Sequence, residues 1–276
     1  MKTLIKTLLV SFGIMVFAMY LFVDIEEHQD EQVTVPECEE LSFQDSVTLL
    51  VTHNRSWIEY MKNTGFCSIY SAAYDDAEGG EFSRNNISIA DWIDESDYWH
   101  QVYSILYYDS KDHLQSLQDS LLRIGRDRNL DREDFARMVV AFVQDIPYEY
   151  VLPENCTGTE VSPCNGNVSF GLYSPVEFLY AMHGDCDTRT VFLYTLLKNF
   201  GYEPLIVNSR EYLHSMLALD VASSGEDFEY KGKKYAFWET TNVGWLAGML
   251  PPDMNNKAYW SVALDYELEN NVASDH

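Results

Sequence analysis

Three side chains in the second half of the sequence, Cys186, His214 and Glu239, belong to the types that together perform nucleophilic acyl chemistry. A cysteine thiolate attacks a carbonyl carbon, an imidazole takes up and returns the proton, and a carboxylate fixes the tautomer of the imidazole. Their order along the chain predicts a Cys-His-Glu triad. The alternative for Cys186 alone is core packing, the usual role of a cysteine in an apolar helix.

The nucleophile candidate lies at a predicted helix start. Residues 174–177, Ser-Pro-Val-Glu, combine the serine cap, the proline and the glutamate that begin a short helix. A second, apolar helix begins around Cys186 and ends at Gly201. Unpaired backbone N–H groups and the helix dipole favour a thiolate at this start, whereas Asp185 and Asp187 oppose it by like-charge repulsion.

The base and the carboxylate are predicted to lie on strands. Short buried strands are indicated at residues 204–208, 214–220 and 235–239. The midpoint between His214 and Glu239 falls beside Gly225, so the simplest antiparallel register places the two residues opposite each other, with Cβ atoms ~4.5–5.5 Å apart. A second hairpin at Gly232 is the alternative that shifts this register.

Four segments carry a family resemblance. They are the Gly-Asp-Cys-Asp-Thr-Arg run at 184–189 with its apolar helix, the helix-to-tyrosine run at 142–148, His214 opening an apolar strand, and Trp-Glu-Thr-Thr at 238–241. In order and spacing they resemble the core of the transglutaminase-like superfamily, in an exported member of the bacterial type. The resemblance covers less than half of the chain.

The resemblance implies an α+β, papain-like fold in which the nucleophile helix packs on an antiparallel sheet. It implies transfer of an acyl group from an amide of a peptide or protein substrate, through a thioester, to water or to an amine, without a cofactor or a metal. The family usually has aspartate where Glu239 stands. It also has an aromatic or glutamine side chain upstream of the cysteine that stabilises the oxyanion, and Tyr173 is the candidate here, beside the backbone N–H of Cys186.

Two other residues near the nucleophile are interpreted as structural. His183 is expected at the end of the preceding short helix, and Arg189 in a salt bridge or on the surface of the nucleophile helix. A zinc peptidase is a remote alternative, because the sequence has no His-Glu-x-x-His motif.

The N-terminus predicts export. Lys2 and Lys6 precede an apolar run over residues 7–23, and acidic residues follow it, so the short positive flank stays in the cytoplasm. The run is at the short end of a membrane span. It lacks a small-x-small cleavage site, which favours a signal anchor over a signal peptide whose cleavage would release the chain.

The five cysteines agree with an oxidising compartment. Cys156 and Cys164 bracket a short loop and form a natural disulfide pair, and Cys38 and Cys67 pair by elimination. Cys186 is then the unpaired thiol. The alternative is that some or all of the five are buried, reduced thiols.

The chain is divided into a membrane segment at 1–23, an acidic tether at 24–45, an N-terminal region at 46–128 and the transglutaminase-like core at 129–276. Runs of β-branched and aromatic residues at 46–60 and 66–73 flank Asn-Thr-Gly at 63–65 and predict a β-hairpin.

Helices are predicted beyond the hairpin and a polar stretch. Residues 75–96 are polar and contain glycine, which indicates a loop. Helical spacing follows over residues 103–122, and a further helix begins at Asp131 as N-cap and stops before Pro147.

Charge limits the partners. There are 44 acidic and 18 basic residues, a formal net charge of −26, and such a field repels nucleic acid. The sequence therefore predicts an extracytoplasmic, membrane-tethered cysteine amidase or acyltransferase. The alternative is a module of the same fold that binds at the cell surface without turnover.

Overall fold

The computed structural model describes residues 33–38, 49–89, 93–158, 161–265 and 267. Residues 1–34 and residues 35–276 form separate units, and the second unit contains the elements below. Within the described residues, no helix has both the length and the apolar character that a membrane crossing requires. The membrane segment predicted at residues 7–23 lies outside them.

The second unit begins with the predicted β-hairpin. Strands Leu50–Glu59 (β1) and Thr64–Ala73 (β2) pair antiparallel, and Asn63 in the turn has a positive φ of 51°. Trp57 stands opposite Phe66, and both side chains enter the core. The indole N–H of Trp57 donates to a backbone carbonyl of a later helix at 3.1 Å, which ties the hairpin to the rest of the unit.

The loop predicted at residues 75–96 is wrong over its first half, where Tyr74–Asn85 forms a helix (α1). Two carboxylates in its first turn complement the helix dipole. Gly80 faces Ser174 and Val176, and a Cβ at this position would collide with both side chains. The glycine therefore permits close packing of two helices, a reason that the local sequence does not reveal.

Helical segments follow as predicted, with one additional break. The periodic stretch over residues 103–122 belongs to two helices, which are separated by a turn at residues 111–114. Asp131 caps the next helix by accepting the backbone N–H of Asp134 at 2.8 Å, as predicted. The three helices are Glu95–Ser110 (α2), Gln115–Asp127 (α3) and Arg132–Gln144 (α4).

The remaining helices and the main sheet form the rest of the unit. A short parallel pair, Tyr150–Val151 (β3) and Cys164–Asn165 (β4), precedes the helices Pro175–Ala181 (α5) and Cys186–Asn199 (α6). The strands that follow are Leu205–Ser209 (β5), His214–Leu219 (β6), Asp227–Tyr230 (β7), Lys233–Trp238 (β8) and Ser261–Leu264 (β9).

These five strands form an antiparallel sheet in the order β7-β8-β6-β5-β9. Helix α6 is buried from Thr188 to Leu197 and packs against β6. Strand β6 begins with the half-buried His214, and its other five residues are buried. His214 therefore lies at the edge of the core. The α+β class and the N-terminal hairpin are thus confirmed.

The cysteine pairing is also as predicted. Disulfides join Cys38 to Cys67 and Cys156 to Cys164, and Cys186 is free and buried. Two disulfides indicate an oxidising, extracytoplasmic location.

Candidate active site

Cys186 is the first residue of α6. The preceding residue, Asp185, is its N-cap and accepts the backbone N–H of Thr188 at 3.1 Å. The short helix α5 has the predicted capping box between Ser174 and Glu177. It then ends abruptly, so that the chain can turn and present the cysteine at the start of the next helix.

Burial and nearby negative charge disfavour the thiolate form of Cys186. Burial raises its pKa well above the ordinary value, the charges of Asp187 and Asp185 raise it further, and hydrogen bonds from Ser215 act in the opposite direction. The thiol lies 3.8 Å from a carboxylate oxygen of Asp187. The like-charge repulsion expected from the sequence is thus present, and burial, which the sequence analysis did not weigh, is the larger cause.

His214 and Glu239 form a hydrogen-bonded pair, with 2.8 Å between Nε2 of the imidazole and Oε2 of the carboxylate. Glu239 is 2% exposed. Its other oxygen accepts the N–H groups of Thr240 and Thr241 at 2.8 Å and the hydroxyl of Thr241 at 2.7 Å. Burial raises the pKa of Glu239, but the hydrogen bond and charge of His214 and the donors of Thr241 bring it below its ordinary value.

The register that brings this pair together differs from the simplest prediction. In the sheet, Leu217 stands opposite Trp238, so Glu239 is displaced by two residues from the position directly across from His214. The reason is the hairpin of β7 and β8 around Gly232, which was the alternative in the sequence. A shift of two residues keeps both side chains on the same face of the sheet, so they still meet.

Cys186 and His214 line one cleft of about 680 Å³, which we call the nucleophile cleft. Tyr148, Tyr150 and Gln144 also line it. The carboxylate engages Nε2 of His214, so Nδ1 is the ring nitrogen that this pair leaves unused.

Tyr173, the predicted oxyanion donor, does not belong to the described residues that line the nucleophile cleft. Its hydroxyl accepts a hydrogen bond from Asn165, and its backbone N–H donates to the Thr188 hydroxyl at 3.0 Å. Tyr173 thus connects the strand pair β3–β4 to the nucleophile helix.

Tyr148 lies beside the start of α6 and lines the nucleophile cleft. Burial is the main cause that raises the pKa of its phenol, and the backbone N–H of Cys186 acts in the opposite direction. A parallel bridge between Tyr148 and Gly184 fixes its backbone beside the start of α6. The helix-to-tyrosine run at 142–148 was a signal in the sequence, but it did not indicate that this tyrosine shares a cleft with Cys186.

Arg189 is buried, and its interpretation as a salt-bridge or helix-surface residue is wrong. Its guanidinium donates to the backbone carbonyls of Gly184 at 3.1 Å, Val143 at 3.0 Å and Thr240 at 3.1 Å, and also to that of Ile146. Burial lowers its pKa to about 10, so it remains charged at neutral pH. One side chain therefore joins the nucleophile turn, the end of α4 and the chain just after Glu239.

His183 has a separate partner. Its Nδ1 pairs with a carboxylate oxygen of Glu149, and its ring lies 6.0 Å from that of Tyr173. Among the residues that the structure describes, no group of histidine, cysteine and acidic side chains has the arrangement of a metal site.

Comparison of the chain with known proteins finds no family model, no curated protein and no solved structure that matches it.

Proposed function

We propose that this protein is a cysteine-dependent amidase or acyltransferase that acts on peptide or protein substrates outside the cytoplasm, with Cys186, His214 and Glu239 as a triad on a papain-like core. The observation that carries the proposal is the 2.8 Å contact between His214 and Glu239 beside the nucleophile cleft. His214 shares this cleft with Cys186, the one free thiol among the described residues. The apolar run at residues 7–23 would tether this domain to the membrane.

The reaction begins when Nδ1 of His214 accepts the thiol proton and the sulfur of Cys186 attacks the amide carbonyl. The carbon–nitrogen bond breaks, His214 gives its proton to the leaving amine, and a thioester remains on Cys186. Water or an amine then attacks the thioester and gives a proton to His214. The carbon–sulfur bond breaks, the sulfur of Cys186 regains that proton, and the product is a carboxylic acid or a new amide. Glu239 stabilises the imidazolium in each step without taking its proton.

The oxyanion of the tetrahedral intermediate is assigned to the space between the Cys186 backbone N–H and the Tyr148 hydroxyl. Tyr148 and Cys186 line the same cleft. A carbonyl oxygen in this space would accept hydrogen bonds from the N–H and from the hydroxyl. The N–H is fixed at the start of α6, and the backbone of Tyr148 is fixed by its bridge to Gly184.

The test is incubation of the protein with a peptide library and a primary amine, followed by mass spectrometry. Hydrolysis, transfer and a thioester on Cys186 each have a distinct mass. We expect Cys186→Ala to abolish turnover and His214→Asn to reduce it about 10³-fold or more, whereas the matched change His183→Asn preserves it.

Two outcomes oppose the proposal. If wild-type protein forms no product and no thioester, the site is not catalytic. If Cys186→Ala then binds the same peptides as wild type, the protein is instead a binding module without turnover.

A further inference from the structure

A second cleft of about 480 Å³ lies against His214, and we call it the carboxylate cleft. Its lining includes Asp187, Asn208 and Trp99, none of which lines the nucleophile cleft. Leu213, which is 85% exposed and has a positive φ of 50°, is shared by both clefts, as is His214. The two clefts therefore meet at the base.

Asp187 is held in a fixed orientation in this cleft. The buried Tyr103 hydroxyl donates to one carboxylate oxygen at 2.5 Å, and the Asn208 amide donates to that hydroxyl at 3.1 Å. The other carboxylate oxygen lies 3.8 Å from the sulfur of Cys186. One carboxylate thus contacts the nucleophile while it also lines a cleft that is open to solvent.

The charge of this carboxylate acts against the thiolate. Burial raises the pKa of the thiol, and the nearest negative charge, that of Asp187, raises it further. A positive charge placed against Asp187 offsets that repulsion and lowers the thiol pKa. Other titratable groups also act on the thiol or share its cleft. They are Asp185 before α6, Arg189 on α6, Tyr103 on α2, Asp145, Tyr148 and Tyr150 after α4, Tyr212 before β6 and His214 on β6.

We propose that Asp187 makes activation of Cys186 depend on a substrate with a guanidinium or ammonium group, which binds in the carboxylate cleft and neutralises Asp187. This inference rests on the proposed function and adds the substrate class. The cation is a recognised side group that stays protonated, not the amine that accepts the acyl group. The net charge of −26 attracts such substrates toward the domain.

Arg210 is the one residue with a permanent positive charge in the described lining of the carboxylate cleft. Its side chain is exposed, and it repels a second cation in the same cleft. Arg210→Gln should therefore strengthen the effect of an added cation, a result opposite to that of removing Asp187.

The first experiment measures the thiol without turnover. Iodoacetamide labelling of Cys186 is followed across a pH series with N-acetyl-arginine amide or with N-acetyl-citrulline amide, its uncharged counterpart of nearly the same shape. We expect the arginine compound alone to move the labelling profile of wild type to lower pH, by about one unit, which is a tenfold higher rate at neutral pH. An equal effect of both compounds, no effect, or a lower rate would overturn the proposal.

Variants separate Asp187 from general electrostatics. Asp187→Asn should label about tenfold faster than wild type at neutral pH without any additive, and should not respond to the arginine compound. Glu211→Gln removes the same charge from a nearby exposed position outside the carboxylate cleft, and should respond as wild type does. Thermal unfolding of each variant shows whether the fold is retained.

The second experiment uses turnover. Peptide amides with arginine at successive positions are compared with matched citrulline peptides, because a guanidinium is a poor nucleophile and does not act as acyl acceptor. Wild type should prefer one arginine position about tenfold or more in kcat/KM, and Asp187→Asn should lose this preference. Turnover without a preference refutes this inference but not the triad. Absence of any turnover refutes the proposed function, and the labelling experiment still tests Asp187.

Discussion

The candidate site has a base end, with His214 and Glu239, and a nucleophile end, with Cys186 and Asp187. The carboxylates at the two ends have different partners. At the base end, Glu239 accepts His214 and three donors from the following threonines, and its pKa is lowered. At the nucleophile end, Asp187 faces the Cys186 sulfur, and the pKa of the thiol is raised. One carboxylate is fully engaged with the imidazole of His214, and the other disfavours the thiolate form of Cys186.

In the triad that we propose, this difference corresponds to a prepared base and a resting nucleophile. The base end is tightly packed, because Glu239 follows the buried end of β8 and Arg189 binds the carbonyl of Thr240 just after it. At the nucleophile end, Asp187 is only half-buried and lines a cleft, so a charge bound in that cleft can change the pKa of the thiol. Changes at the base end should therefore remove activity, and changes at the nucleophile end should shift its dependence on pH.

The largest effect is expected from Glu239→Gln. The amide would face Nε2 of His214 with an N–H group, so the imidazole would adopt the tautomer in which Nδ1 carries the hydrogen and is unable to accept the thiol proton. We expect kcat to fall by about 10³- to 10⁴-fold with little change in KM. Steady-state kinetics on a peptide found by the library screen measures both constants.

The control for this variant is Glu149→Gln, which changes the carboxylate paired with His183, outside the nucleophile cleft. It should retain kcat within a factor of a few. Equal losses in the two variants would show that the base end is not specialised, and the comparison between the two ends would fail.

Arg189→Met should have the next largest effect, this time on stability. The variant leaves the carbonyls of Gly184, Val143, Ile146 and Thr240 without their buried donor, and each orphaned group costs about 1–3 kcal/mol before relaxation. We expect the free energy of unfolding to fall by about 3 kcal/mol or more, as measured in urea.

Arg132→Met is the matched control for this variant. Arg132 is exposed, donates to the carbonyl of Gly201 and lies over the ring of Tyr202. Its loss should cost less than about 1 kcal/mol. A loss for Arg189→Met as small as that of the control would mean that the two ends of the site are not joined through this side chain.

Local chemistry allowed much of this site to be predicted. The caps at Asp131 and Ser174 and the start of α6 are decided by side chains within three residues, so sequence suffices. The register of β6 and β8 depends on whether the chain that connects them forms the extra strand β7. The turn residues alone do not determine whether this strand forms.

The unpredicted parts depend on tertiary contacts. The helix Tyr74–Asn85 is polar and contains two glycines, and it is stabilised where Gly80 packs against Ser174 and Val176. A charged residue such as Arg189 is usually at the surface, and only the convergence of four carbonyls from three segments accounts for its burial.

The effect that is smallest near pH 5, and that concerns the nucleophile end, is expected from Asp185→Asn. Burial and the charge of Asp187 raise the pKa of Asp185 to about 8, well above its value in the unfolded chain, so the folded protein binds the extra proton between about pH 4 and pH 8. Its contribution to stability is therefore full at low pH and is lost as the pH rises through this window. Asparagine keeps the cap on Thr188 without titrating, so the variant should gain about 1 kcal/mol or more relative to wild type between pH 5 and pH 8. Urea unfolding at several pH values measures the difference. A constant difference across the window would mean that Asp185 is ionised throughout, and the negative charge at the nucleophile end would then be shared by two carboxylates rather than concentrated on Asp187.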